Sequence, residues 1–150
     1  MPERMYDKID IAVEYLNLAS RLWLEDHEFF SSAHLAGAAE EIMGQHCRIQ
    51  GLESQRDWWV NYGDRIAKTK LFPEITGKKL ANEAYKPKNS IKHMNPIESD
   101  SKINIDIKET ASHAIRAAFK NFETLDLCDT LGEDVFKVIE QTNIYIETDS

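Results

Sequence analysis

The sequence predicts an all-α fold, an antiparallel up-and-down bundle of four main helices with one or two short ones. Three observations predict it. Apolar residues recur at three- and four-residue spacings in several long segments, no convincing pair of alternating strands is present, and Gly51, Phe72-Pro73 and Thr76-Gly77 punctuate the chain between periodic segments. The stretch Phe29–Arg48 is the centre of this scheme. Its small residues Ala33, Ala36, Gly37, Ala38, Ala39 and Gly44 lie among Phe29, Phe30, Leu35, Ile42 and Met43, as in a helix packed on more than one side.

In chain order, Ile9, Ala12, Val13, Leu16, Ala19 and Trp23 form one apolar face of a first helix over Asp7–Trp23, with Leu24–His27 as a short turn. The central helix follows over 28–48 and ends near Gly51, with Glu40, Gln45 and Arg48 on its wetter side. Residues 52–68 repeat the pattern less cleanly, through Leu52, Trp58, Trp59, Tyr62 and Ile66. Phe72-Pro73 and Thr76-Gly77 punctuate the chain before a short helix over 78–85, which is expected to break at Lys86-Pro87. Pro87 then opens a second helical piece through Asn89, Ile91 and His93, because proline lacks only a hydrogen bond that the first turn does not use.

Asn95–Ser101 reads as an exposed loop. Ile103, Ile105 and Ile107 alternate like a strand, but with no partner strand they read as an extended lead into the next helix. Asp106 and Glu109 have capping-box spacing and start that helix near 107. Ala111, Ala114, Ile115, Ala118, Phe119 and Phe122 give it a strong buried stripe to about Leu125. A turn over Leu127–Gly132 leads to a last helix from Glu133 to about Tyr145, built on Val135, Phe136, Val138 and Ile139.

A length of 150 residues suits one domain with one sizeable core. No apolar run is long enough to cross a membrane, and Met1–Arg4 does not lead into a signal-peptide core, so no membrane partner and a cytoplasmic location are expected. Cys47 and Cys128 lack any CxxC spacing, which points to two packed thiols. The net charge of −8 argues against the whole surface binding nucleic acid. Residues 65–93 nevertheless carry eight basic groups against Glu74 and Glu83, a local patch that could take an anion or RNA.

Three constellations carry candidate chemistry. His34 and Glu41 share a face of the central helix with Gly37 between them, and His113 lies on the other strongly striped helix; the three are expected to form a polar core network or, as an alternative, to bind a divalent metal. Lys86, Lys88, Asn89, Lys92 and His93 surround Pro87, where Lys86 and Lys92 could hold phosphate, Lys88 and Asn89 could position it, and His93 could move a proton. Trp58, Trp59 and Tyr62 form an aromatic face suited to a core or dimer interface, with a ligand-stacking platform as the alternative.

At Lys88-Asn89-Ser90-Ile91-Lys92-His93, and at the upstream HLAGAAEEIMG segment, the chain resembles the HEPN superfamily of small helical bundles. The resemblance implies a paired-helix homodimer, with Asn89 and His93 near a cleft shared by two copies. Lys88 stands where a nuclease of that superfamily usually has Arg, and Lys lacks the planar fork that grips phosphate twice. The expectation is therefore a homodimeric binding or stress-defence component without a cofactor, with a cognate protein as a further partner. The alternatives are a metal-independent endoribonuclease using Lys88, Asn89 and His93, and a metal-dependent helical enzyme using His34, Glu41 and His113.

Overall fold

In the computed structural model, which describes residues 1–69, 74, 76–93, 96 and 98–143, every regular element is helical. The α-helices are α1 (Lys8–Leu24), α2 (Phe29–Ile49), α3 (Gln55–Lys68), α4 (Gly77–Ser90), α5 (Ile107–Thr124) and α6 (Glu133–Thr142). Four begin at side-chain caps. Asp7 accepts from the Ile9 amide at 2.8 Å, Ser54 from Asp57 at 3.1 Å, Thr76 from Lys79 at 3.2 Å and Asp106 from Glu109 at 3.0 Å. The α1–α2 turn is made by Asp26 and Glu28, both with positive φ (61° and 53°), a conformation that reverses the chain within a few residues. No described helix is long and apolar enough to cross a membrane.

The core joins α1, α2, α5 and α6. Ala12, Leu16 and Ala19 meet Ala33, Ala36 and Met43 of α2, and Ala111, Ile115, Ala118 and Phe122 of α5, while Val135 and Val138 close the far side from α6. Alanine on the facing stripes lets the axes approach closely, and Phe122, Leu16 and Met43 fill the space between. The Ser32 hydroxyl donates to the Ala19 carbonyl at 2.8 Å, a further tie between α1 and α2.

Contacts at the two ends of α2 and α5 set their relative direction. Lys108 at the start of α5 lies 5.7 Å from the Phe29 ring at the start of α2, whereas Cys47 near the end of α2 donates to the carbonyl of Asn121 near the end of α5. These two helices therefore run side by side in the same sense. A simple up-and-down order would oppose them. The difference arises because α3 and α4 form a separate hairpin between α2 and α5, which leaves Lys92 at the level of Glu41 while α5 starts at the level of Phe29. From the level of Glu41, where Lys92 is held, to that of Phe29 is about 18 Å of helix. Of the expected extended lead, residues 103–106 have no regular structure, and Ile107 already belongs to α5.

The α3–α4 hairpin closes on itself at two glycines. A Cβ on Gly63 would stand 2.7 Å from the Gly77 Cα, and one on Gly77 only 1.8 Å from the Val60 carbonyl oxygen, so the two backbones touch. The Gly77 amide also donates to Asp64 at 2.7 Å. Pro87 departs from the expected break, because it lies inside α4. It sits in the last turn, where only the carbonyl four residues back, on exposed Glu83, loses its partner and can turn to water, and Ser90 donates to the Pro87 carbonyl at 2.8 Å. The Phe72-Pro73 punctuation lies outside the described residues, as do Asn95 in the expected loop and the last expected residues of the final helix.

Candidate functional site

A cleft of about 760 Å³ opens where the hairpin meets the core. Gln55, Trp58 and Trp59 of α3 form one wall, and Ala84, Tyr85, Pro87 and Lys88 of α4 continue it. Thr110, His113, Ala114, Arg116, Ala117 and Lys120 of α5 form the opposite wall, and Glu40 of α2 lies at the base. The spacing on α5 is helical, so one face of that helix lines the cleft while the Ala111–Phe122 stripe faces the core.

The base is a buried ionic cluster. Glu40 is 4% exposed and Lys88 is 7% exposed. The Tyr85 hydroxyl donates to Glu40 Oε1 at 2.7 Å, and Lys88 Nζ donates to Glu40 Oε2 at 3.1 Å and to Glu41 Oε1 at 3.4 Å. Lys92 Nζ reaches the same Glu41 oxygen at 3.1 Å. The ammonium of Lys88 also lies 4.8 Å from the centre of the Tyr85 ring. A carboxylate this deep is tolerated because both oxygens are hydrogen-bonded and its charge is matched. Burial, reinforced by the Glu40 carboxylate, pushes the Tyr85 phenol far above its ordinary value, so it remains a donor at any physiological pH. Burial pushes the Glu41 carboxyl up, but the hydrogen bond from Lys92 and the Lys88 and Lys92 charges outweigh it and hold Glu41 below its ordinary value.

Gly37 makes room for this arrangement. A Cβ there would lie 2.8 Å from Lys88 Cδ and 3.3 Å from Cγ, so the lysine stem crosses α2 where the side chain is missing. The gap at Gly37 thus admits a side chain from α4 rather than another backbone. A second polar anchor is Asn121, fully buried in the α5 stripe. Its side-chain amide donates to the Glu40 carbonyl at 3.0 Å and its oxygen accepts from the Gln55 amide at 2.8 Å, fixing the start of α3 to α2 and α5.

The polar core therefore differs from the one expected. His34, Glu41 and His113 are all exposed, and among the described residues no three His, Cys, Asp or Glu side chains converge as a metal site would require. Glu40, expected on the wetter side, is the buried acid; it lies four residues after Ala36 and three before Met43, within the apolar stripe of α2. His113 lies on the cleft wall with Glu109 3.7 Å away.

The basic segment is likewise divided. Lys88 and Lys92 are held by Glu40 and Glu41, whereas Lys86, Asn89 and His93 are exposed. α4 ends at Ser90, so His93 does not share a helix with Lys88 and Asn89. The aromatic trio forms one assembly: Trp58 and Tyr62 stack at 5.0 Å with planes 6° apart, and Trp59 meets Trp58 edge-on at 5.1 Å. Trp58 is 37% and Tyr62 39% exposed. Burial raises the Cys47 and Cys128 thiols above their ordinary values, which keeps them protonated and poorly nucleophilic.

Polar cleft residues to which the sequence reading gave no role in a site are Glu40, Gln55, Tyr85, Thr110, Arg116 and Lys120. Glu40 and Asn121 carried a signal, each being a polar side chain at a stripe position. Comparison with known proteins found no matching family model, no matching curated protein and no matching solved structure.

Proposed function

We propose that this chain is a binding component whose site is the cleft between the α3–α4 hairpin and α5. The observation that carries the reading is the pairing of an aromatic wall, Trp58 and Trp59, with a base whose polar groups already satisfy one another. An apolar body can enter without stranding Glu40 or Lys88, and the volume lies in the range of small-molecule pockets. The committed state of Glu40, Tyr85 and Lys88 favours holding a ligand over moving protons.

Titration of the full chain with two aromatic probes, anilinonaphthalene sulfonate and the neutral phenylnaphthylamine, tests this by tryptophan quenching. At least one is expected to saturate, and Trp59→Ala to abolish that signal with an unchanged circular dichroism spectrum, while Phe136→Ala on α6, which is not among the cleft-lining residues, retains it. Failure of both probes to bind, or equal binding by Trp59→Ala, would overturn the reading.

The exposed Trp58–Tyr62 stack favours a second role for the same hairpin, pairing of two copies. Sedimentation over a range of concentrations checks it: Tyr62→Ala is expected to shift a dimer toward monomer, and a wild-type chain that stays monomeric throughout would remove it. The endoribonuclease reading has less support, because Lys88 faces Glu40 and Glu41 rather than open solvent.

A further inference from the structure

We infer that the ligand of the cleft is a small amphipathic anion, with a flat apolar body against Trp58 and Trp59 and an acidic group directed to Arg116 and Lys120. This inference rests on the binding reading above and adds the chemical class of the ligand. In a chain of net charge −8, the α5 wall gathers His113, Arg116 and Lys120 on one line of the helix. Among the described residues the single acidic one lining the cleft is Glu40, and Lys88 neutralises it at 3.1 Å. The described lining therefore carries a net positive charge, from Arg116 and Lys120, although the protein as a whole is acidic.

Arg116 lines the cleft, and its guanidinium is held in place. Its Nη1 donates to the Ile139 carbonyl at 3.3 Å and to Thr142 Oγ1 at 2.9 Å, which ties the guanidinium to the end of α6. A guanidinium has five N–H donors, and Nε and Nη2 have no hydrogen-bond partner among the described residues. A donor held in place loses little freedom when an anion arrives. Among the described residues Lys120 and His113 pair with exposed Glu123 and Glu109, at 2.7 and 3.7 Å. Exposed pairs of this kind contribute little and can be exchanged for a ligand carboxylate, sulfonate or phosphate. The cleft volume of about 760 Å³ sets the occupant as a small molecule.

The two probes named above share an aromatic body and differ by a sulfonate, so the ratio of their affinities isolates the anion. In the wild-type chain the sulfonate is expected to bind about tenfold more tightly, the worth of one charge-assisted hydrogen bond, with the advantage falling as salt rises. Arg116→Gln with Lys120→Gln is expected to bring the ratio to about one. Because Arg116 also anchors α6, Lys120→Glu alone is a second variant that leaves that anchor intact, and it is expected to lower the ratio at least about threefold. Equal affinity for both probes in the wild type, or a ratio unchanged in Lys120→Glu and in the double variant, overturns the inference while leaving the binding reading in place. Failure of both probes to bind overturns both.

Discussion

Replacing Lys88 with Met would separate the charge of this residue from its packing. The methionine stem can still fill the gap over Gly37, but Glu40 loses the ammonium 3.1 Å away in a site where the two side chains are 5% and 8% exposed. At an effective dielectric of about 20, the direct attraction at that distance is about 5 kcal/mol. Tyr85 still donates to Glu40, so the net loss is expected near 3 kcal/mol, within the range for breaking one side of a buried pair. For a chain of this size that corresponds to a fall in Tm of about 10 °C. Urea denaturation of wild type, Lys88→Met, Glu40→Gln and the double variant measures it as a cycle. In the Glu40→Gln background no charge is stranded, and Lys88→Met is expected to cost only about 1 kcal/mol. A loss below about 1 kcal/mol in the wild-type background, or the same loss in both backgrounds, would refute the claim that this pair secures the hairpin.

Gly77→Ala places a methyl group against the Val60 backbone, which cannot rotate away, and is expected to destabilise by about 3 kcal/mol in urea. Gly37→Ala gains helix propensity but sets a methyl group 2.8 Å from Cδ of the buried Lys88 stem, whose ammonium Glu40 holds, so a loss of about 1–2 kcal/mol is expected in the same assay, smaller than that of Gly77→Ala. Asn121→Ala leaves the Gln55 amide without its acceptor and removes the amide from the Glu40 carbonyl; a loss of about 2 kcal/mol is expected, with faster hydrogen exchange at the start of α3. Glu41 has a folded pKa held below its ordinary 4.5, so its carboxylate stabilises above that pH and the contribution disappears as pH falls through the depressed value. The stability difference between wild type and Glu41→Gln should therefore be present at neutral pH and vanish in acid; a difference that grows on acidification would contradict the sign.

Helix positions were legible in the sequence where one face is uniformly apolar. The stripes of α1, α2 and α5 and the Asp106 cap stand almost where periodicity places them, because burial and local capping are short-range properties of the chain. The direction of α2 against α5 was not legible, since a stripe says which face is buried and not which way its neighbour runs. Pro87 misled because a proline rule for helix interiors applies weakly in a last turn. At the site, Trp58 and Trp59 were visible as an unusual aromatic face, whereas Glu40 was passed over in favour of Glu41, one residue on. The stripe position of Glu40 was the available signal; its partner Lys88 lies 48 residues away and could be joined to it only through the path of the hairpin.

The parallel course of α2 and α5 gives this helical protein a long closure. Bringing the end of α2 and the start of α5 into one core encloses residues 50–106, and compared with a ten-residue connection the added loop entropy is about 1.5 kcal/mol. A molecule touching both Trp59 and Arg116 bridges that enclosed segment to α5. Its occupancy and the closure of the chain are then thermodynamically linked, so each increment of ligand above its Kd also raises the free energy needed to open the loop.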